Sequence, residues 1–397
     1  MIFAWEQCKL GDVADRVTRK NKGMVSELPL TISAQDGLIS QDEFFNKKVA
    51  SKDLSSYLLL HHGDFAYNKS YSNGYPFGTI KRLEKYPQGV VSSLYIAFEP
   101  NSSISSDFMA QYYESNNWHK EIYKCAAEGA RNHGLLNVPP SDFFATNLNI
   151  PITKSEQLKI GRLLNAVDQT ITLHEEKKRQ LERLKSALLQ KMFAYKSGYP
   201  AVRFEGFGGK WDQCKLGNVG TFRGGFGFPE NEQGNIDGIA FYKVSDMNDS
   251  CNTLTMRKAS NYVTSSQISK NKWKPILNQN IIFAKVGAAV YLERKRKAMG
   301  PFLLDNNMMA FQPKDADIDY IYYVFQRLRI SKHAQVGTLP SLNASELRNI
   351  TIYIPSLNEQ KAVADLMASL DHTIILYDFK LELLKKLKSS LLQHMFI

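Results

Sequence analysis

Two short stretches carry residue types at spacings that could do chemistry. FRGGFGF at 222–228 is glycine-rich enough to cradle a cofactor, and NVPPSD at 137–142 is distantly similar to an Asn/Asp-Pro-Pro-aromatic methyl-transfer motif. Neither meets the requirement of its motif. Phe226 stands where a phosphate-binding loop needs glycine, Val138 precedes the paired prolines, and Ser141 follows them. No Walker A loop and no metal-binding carboxylate cluster can be read from the chain. Cys8, Cys125, Cys214 and Cys251 are far apart, with no CxxC pair and no histidine at ligand spacing, so they read as reduced structural thiols. The residues therefore predict no catalytic centre, no metal and no cofactor bound by this chain.

The bulk properties point elsewhere. A chain of 397 residues is too long for one core, and its formal charge of +11 with a pI near 9.2 favours a polyanionic partner, either nucleic acid or an anionic membrane surface. No apolar run approaches the roughly 20 residues of a membrane span, and MIFAWEQCKLGD lacks the basic start and apolar core of a signal peptide. A cytoplasmic location is expected. The densest run of charge, ERKRK at 293–297, reads either as a solvated surface run or as a phosphate contact.

What must position any such residues is an internal repeat. TKSEQLKIGRLLNAVDQTITLHEEKKRQLERLKSALLQKMF at 153–193 aligns without a gap to SLNEQKAVADLMASLDHTIILYDFKLELLKKLKSSLLQHMF at 356–396. Each copy opens on a capping-box pattern, Thr153 to Glu156 and Ser356 to Glu359, which sets matching helix starts. A 4-3 spacing follows through Ile160, Leu164, Val167, Ile171, His174, Lys178, Leu181, Lys185, Leu188 and Met192. Its counterpart runs through Val363, Met367, Leu370, Ile374, Tyr377, Leu381, Leu384, Lys388, Leu391 and Met395. Each helix should be roughly 60 Å long, more than a small domain buries, so the two are expected to pack on each other as an antiparallel coiled coil. His174, Lys178, Lys185 and Lys388 interrupt the seam. Their long stems are expected to reach past it to water.

The remaining sequence repeats too. WEQCKLGDV at 5–13 returns as WDQCKLGNV at 211–219, and strand-like runs such as YLLLHHGDFAYN and GVVSSLYIAF are matched by ILNQNIIFAKVG and MMAFQP. Asp107 to Glu128 reads as a helix, with DYIYYVFQRLRISKHA as its counterpart. Each copy exits through Ile-Pro, at Ile150-Pro151 and Ile354-Pro355. The fold class is therefore α+β. Mixed domains at 1–152 and 211–355, long helices at 153–195 and 356–397, and a Gly/Pro-rich linker at 196–210 are expected, with pseudo-twofold symmetry.

Taken together, these motifs resemble the specificity subunits of type I restriction-modification systems over essentially the whole chain. The likeness is carried by W-x-x-x-K-L-G at each start, the Ile-Pro exit, and E-Q...D-x-x-I...L-x-x-L-K...L-L-Q-x-M-F. In the first copy these are Glu156, Gln157, Asp168, Ile171, Leu181, Leu184, Lys185, Leu188, Leu189, Gln190, Met192 and Phe193. In the second they are Glu359, Gln360, Asp371, Ile374, Leu384, Leu387, Lys388, Leu391, Leu392, Gln393, Met395 and Phe396. The resemblance implies non-catalytic DNA recognition, each domain reading half of a bipartite, asymmetric site. It implies two methyltransferase subunits as partners, using S-adenosylmethionine to modify adenine N6, and restriction subunits that use ATP and Mg.

Base reading would then fall to loops rich in basic, amide and aromatic side chains, because bidentate Arg or Asn/Gln contacts read major-groove edges. Those are Asn68, Lys69, Tyr71, Asn73, Tyr75, Arg131, Asn132 and His133 in the first domain. In the second they are Lys285, Tyr291, Arg294, Lys295, Arg296, Lys297, Thr338, Ser341 and Asn343. Phe65, Tyr67 and Phe283 read as core. Two rivals are weighed: a protein-interaction scaffold with a coiled-coil spacer, which the positive charge argues against, and a self-contained methyltransferase, which the failed motifs argue against.

Overall fold

The start and exit motifs of each repeat lie far apart in sequence because they are the two halves of one β-pair. Trp5–Lys9 runs antiparallel to Asn147–Pro151, with Gln7 opposite Asn149, and Asp212–Lys215 runs antiparallel to Thr351–Ile354, with Gln213 opposite Tyr353. The computed structural model describes residues 5–47, 50–51, 53–70, 74–126, 136–335, 337 and 339–396. It is a mixed α+β chain that divides into two units, one of Met1–Glu176 with Phe379–Ile397, the other of Lys177–Asp378. No helix among the described residues is long and apolar enough to cross a membrane.

In the first unit a four-stranded sheet has the order Ala14–Arg16, Ile96–Pro100, Phe65–Asn68, Thr79–Arg82. In the second a five-stranded sheet runs Gly220–Gly224, Met308–Pro313, Asn280–Ala284, Lys295–Ala298, Thr255–Met256. Each sheet is backed by a helix whose N-cap amide is held by a motif glutamine. Gln157 accepts from the Ser105 N–H at 2.8 Å and donates to the Pro151 carbonyl at 3.0 Å. Gln360 does the same to the Asp317 N–H at 2.9 Å and the Pro355 carbonyl at 2.9 Å. Each glutamine thus ties a long helix to both its domain helix and its Ile-Pro exit.

The helix expected over 107–128 is two helices, Ser106–Glu114 and His119–Ala126, because the Ser115 hydroxyl donates to the Tyr112 carbonyl at 2.6 Å and ends the first. Its counterpart Ile318–Arg327 is followed by a 3₁₀ turn, Ile330–His333. NVPPSD is a helix start, with Pro140 in the first turn of Pro140–Phe144 and Val138 buried. FRGGFGF is a strand end. A Cβ on Gly225 would lie 2.0 Å from the Asp305 carbonyl oxygen, so close backbone approach accounts for that glycine.

The long helices are Lys154–Lys191 and Leu357–Met395. Their caps follow half of the expected box. The Thr153 hydroxyl accepts from the Glu156 N–H at 3.3 Å and the Ser356 hydroxyl from the Glu359 N–H at 3.4 Å. The Glu359 carboxylate, however, does not return to its cap. It accepts from the Arg203 guanidinium of the linker at 2.7 and 2.8 Å and from the Trp211 indole N–H at 3.3 Å, so the linker docks on the second helix start.

Every predicted seam position is buried or half-buried. In the first unit Ile160, Leu164 and Ile171, with Val167 half-buried, share a side with buried Leu381 and half-buried Leu384, Leu391 and Met395. In the second, half-buried Leu181 and Leu188 and buried Met192 are matched by buried Val363 and Met367 and half-buried Leu370 and Ile374. Complete burial of Leu164 and of Met367 is worth about 2 kcal/mol each. Each Met-Phe terminus enters the core of the other repeat's domain. Phe396 lies 5.3 Å from the Phe108 ring in the first unit, and Phe193 lies 5.4 Å from the Tyr320 ring in the second.

The seam lysines depart from expectation. Rather than ending in water, they take carboxylates from the antiparallel helix. Lys388 meets Asp168 at 2.7 Å in the first unit, where Lys385, outside the seam, also meets Glu175 at 2.6 Å. Lys178 meets Asp378 at 2.6 Å, and Lys185 meets Asp371, in the second. As residue numbers rise along one helix they fall along its partner, which fixes the antiparallel sense within each unit. The His174 Nδ1 instead lies 2.8 Å from the Thr170 carbonyl of its own helix.

Candidate nucleic-acid interface

At the end of one central strand in each sheet, a lysine begins a loop that is clamped to a second loop. Lys69 follows Phe65–Asn68, and its carbonyl accepts from the Leu136 N–H at 3.0 Å. Lys285 follows Asn280–Ala284, and its carbonyl accepts from the Leu342 N–H at 2.8 Å. The strand registers make these lysines equivalent, since Tyr67 pairs with Ile96 as Phe283 pairs with Met309. In both units the second loop leads into a short helix, Pro140–Phe144 or Ala344–Arg348.

In the first unit the Lys69 ammonium donates to the Val138 carbonyl at 3.4 Å, and burial holds it below the usual lysine range. Asn68 accepts from the Ser70 N–H at 3.0 Å, which shapes the turn. Gly78 closes the loop in a left-handed conformation, φ 76°, where a Cβ would lie 2.2 Å from the Asn68 carbonyl oxygen. Tyr75 is exposed at its tip. Tyr71, Asn73, Arg131, Asn132 and His133 lie outside the described residues.

In the second unit the clamp brings the Lys285 backbone beside Ser341 and Leu342, with Tyr291 in the turn that follows. Gly287, at φ 83°, donates to the Pro340 carbonyl at 2.9 Å, and Val286 bridges to Ser341. The turn Ala288–Leu292 presents an exposed Tyr291 and closes on Glu293 at φ 53°. Asn343 is exposed, but its side-chain oxygen caps the next helix by accepting from the Ser345 N–H at 3.1 Å. Thr338 lies outside the described residues.

ERKRK is neither a solvated run nor one charged face. Residues 295–298 are a strand between Asn280–Ala284 and Thr255–Met256, so successive side chains alternate across the sheet. Lys295 and Lys297 point to the helix-covered side. Lys295 is 1% exposed, donates to the Leu328 carbonyl at 2.9 Å and pairs with Glu293. Burial lowers the Lys295 value against the opposing pull of Glu293. Burial would also raise Glu293, but bonds from Lys295 and Ser331 outweigh it and keep that carboxyl below its usual range. Lys297 pairs with Asp319 and lies over the Tyr322 ring at 5.4 Å. These two lysines hold the fold, which corrects their place among the base-reading candidates. Arg294 bonds to the Asn248 side chain and Arg296 to the Asn252 carbonyl at 2.5 Å, on the other side. Burial lowers the Arg296 value.

The signal sequence reading missed is the clamp itself. It was present as Leu136-Asn137 and Leu342-Asn343, which follow the two strand-end lysines in the same order. Among the described residues no group of three or more His, Cys, Asp or Glu side chains is placed to hold a metal. The cysteines are free, and burial pushes the Cys8 thiol up to about 11 and the Cys214 thiol above its usual value.

Two mixed sheets thus each offer clamped loops with cationic, amide and aromatic side chains. Residues 208–386 match the family model described as the type I restriction modification DNA specificity domain. The type I restriction enzyme MjaVIII specificity subunit of Methanocaldococcus jannaschii is 22% identical over 419 residues, spanning 98% of this chain and 91% of the relative. The fold is shared with the type I restriction-modification S subunit of M. genitalium, at TM-score 0.61 and 14% identity over 100% of this chain and 97% of that one. It is shared too with a chain from a study of complex assembly in a type I R-M system, at TM-score 0.53 and 16% identity over 98% and 96%. The family match thus lies on the second repeat, and the shared fold extends over the whole chain.

Proposed function

We propose that the domains at 1–152 and 211–355 each read one half of a bipartite, asymmetric DNA site, and that the subunit itself is non-catalytic. The helices 153–195 and 356–397, joined through the linker 196–210, form a pseudo-twofold antiparallel coiled coil that sets the spacer. The observation that carries this reading is a reciprocity. Asp168 and Asp371 are repeat-equivalent, as are Lys185 and Lys388, and each aspartate pairs with the lysine of the other copy. A sequence that pairs with its own duplicate in this way supports a scaffold that carries two readers for one duplex.

The same reciprocity supports two equivalent docking places for methyltransferase subunits. Some exposed leucines repeat between the units: Leu376 and Leu184 in the second are the repeat equivalents of Leu173 and Leu387 in the first. Exposed leucines on helices whose other faces are buried suit a protein partner. S-adenosylmethionine would belong to those partners, ATP and Mg to restriction subunits of the full assembly, and the complex would be cytoplasmic. Removing matched heptads from both helices tests the ruler. Mapped methylation sites should keep both half-sites and lose spacer length; unchanged spacing would overturn it.

A further inference from the structure

The second unit carries a cleft that the base-reading loops do not use. Its volume is about 730 Å³, and its walls include Lys196, Arg327, Arg329, Lys332 and His333 but no carboxylate. None of these five side chains forms an ion pair with a carboxylate among the described residues. Arg327 is half-buried, spends one N–H on the Ala194 carbonyl at 3.0 Å, and lies over the Tyr195 ring at 5.6 Å, while Lys196 lies over the same ring at 5.7 Å. Burial pulls the Arg327 value down, opposed only by tyrosines. Cationic side chains that line one cleft with no carboxylate among them favour an anion entering it.

The corresponding place in the first unit shows that the fold does not require this. There the pocket is about 10 Å³ and is lined by Gln7, Asn117, Lys120, Glu121, Asn147 and Asn149. Gln7 and Asn149 stand where Gln213 and Tyr353 stand in the second unit, paired in the same register. Glu121 supplies a carboxylate, bonded to Lys124 at 2.6 Å, and the space is filled. A surface for a partner that docks equally on both repeats would be alike in both. Among the described residues this one is particular to the second.

We propose that the Lys196–Arg327–Arg329–Lys332–His333 cleft grips phosphates of the DNA backbone, so that the second unit contributes a sequence-independent contact that the first lacks. The proposal rests on the reading of the chain as a DNA-specificity subunit. Phosphodiester oxygens match guanidinium and ammonium donors without base discrimination, which suits a contact that positions the duplex.

The test uses the complex reconstituted with its methyltransferase partner, with K196Q/R329Q/K332Q and the charge-preserving K196R/R329K/K332R. These three side chains are exposed, and Arg327 is left to hold Ala194. Affinity for a cognate and a scrambled duplex is measured against salt. The neutral variant should lose about 1 to 3 from the slope of log affinity against log salt, equally on both duplexes, and the charge-preserving variant should lose none. An unchanged slope overturns the cleft. So does loss of partner assembly at unchanged slope, which would assign the cleft to an acidic protein segment. Failure of the wild-type complex to prefer its cognate duplex would instead sink the specificity reading, and is read separately.

Discussion

Asp371 accepts from the Lys185 ammonium through one carboxylate oxygen and from the Tyr323 phenol, at 2.8 Å, through the other. The carboxylate is 4% exposed, and it joins both long helices to the domain helix Ile318–Arg327. Asp168 does the same in the first unit, taking Lys388 at 2.7 Å and the Gln111 amide at 3.0 Å. Removing the lysine strands a buried charge, whereas neutralising the acid keeps the phenol bond. K185M should therefore cost about 2 kcal/mol and D371N less, with a coupling of about 1 kcal/mol in a double-mutant cycle followed by urea unfolding. Additive effects would show that the pair does not hold the helices.

Lys285 and Lys295 are ten residues apart and should fail differently. K285A removes a cation from the clamped loop and is expected to weaken cognate-duplex affinity about tenfold, with the melting temperature unchanged. K295M leaves Glu293 without its main partner and should destabilise the chain by about 2 kcal/mol while the folded protein binds DNA normally. Anisotropy titrations beside thermal melts separate the two, and a K295M variant that melts normally but binds weakly would reverse the assignment.

Lys178 offers a pH signature. Its bond to Asp378 raises the ammonium above 10.5, more than burial lowers it. A raised lysine contributes stability that is full below the unfolded value of 10.5 and is lost as pH climbs through the higher folded value. The pair is partly exposed, so wild type should exceed K178Q by only about 0.5 kcal/mol from pH 7 to about 10. The gap should close as pH climbs past 10.5 through the higher folded value, and one that persists or widens there would rule out the ion pair as its source.

Much of the scaffold was legible because repeats and seams are patterns of residue type. The 4-3 spacing gave the buried face of both helices, and the Met-Phe endings marked their termini. What the pattern did not carry was destination. Lys185 and Lys388 read as lysines reaching for water, since a heptad position does not say which carboxylate faces it, and Glu359 read as a cap because Arg203 and Trp211 are distant in sequence. ERKRK read as one run of charge until strand alternation sent Lys295 and Lys297 to one side of the sheet and Arg296 to the other. The strand-end lysines could be named, but the Leu136 and Leu342 amides that fix their loops depend on chain return over many residues.

The most direct test is exchange of residues 211–354 for the same region of a relative, followed by genome-wide mapping of modified adenines with the methyltransferase partner present. Two independent readers on one scaffold predict that one half-site changes while the other half-site and the spacer stay fixed. A change in both half-sites, or in neither, would contradict the account.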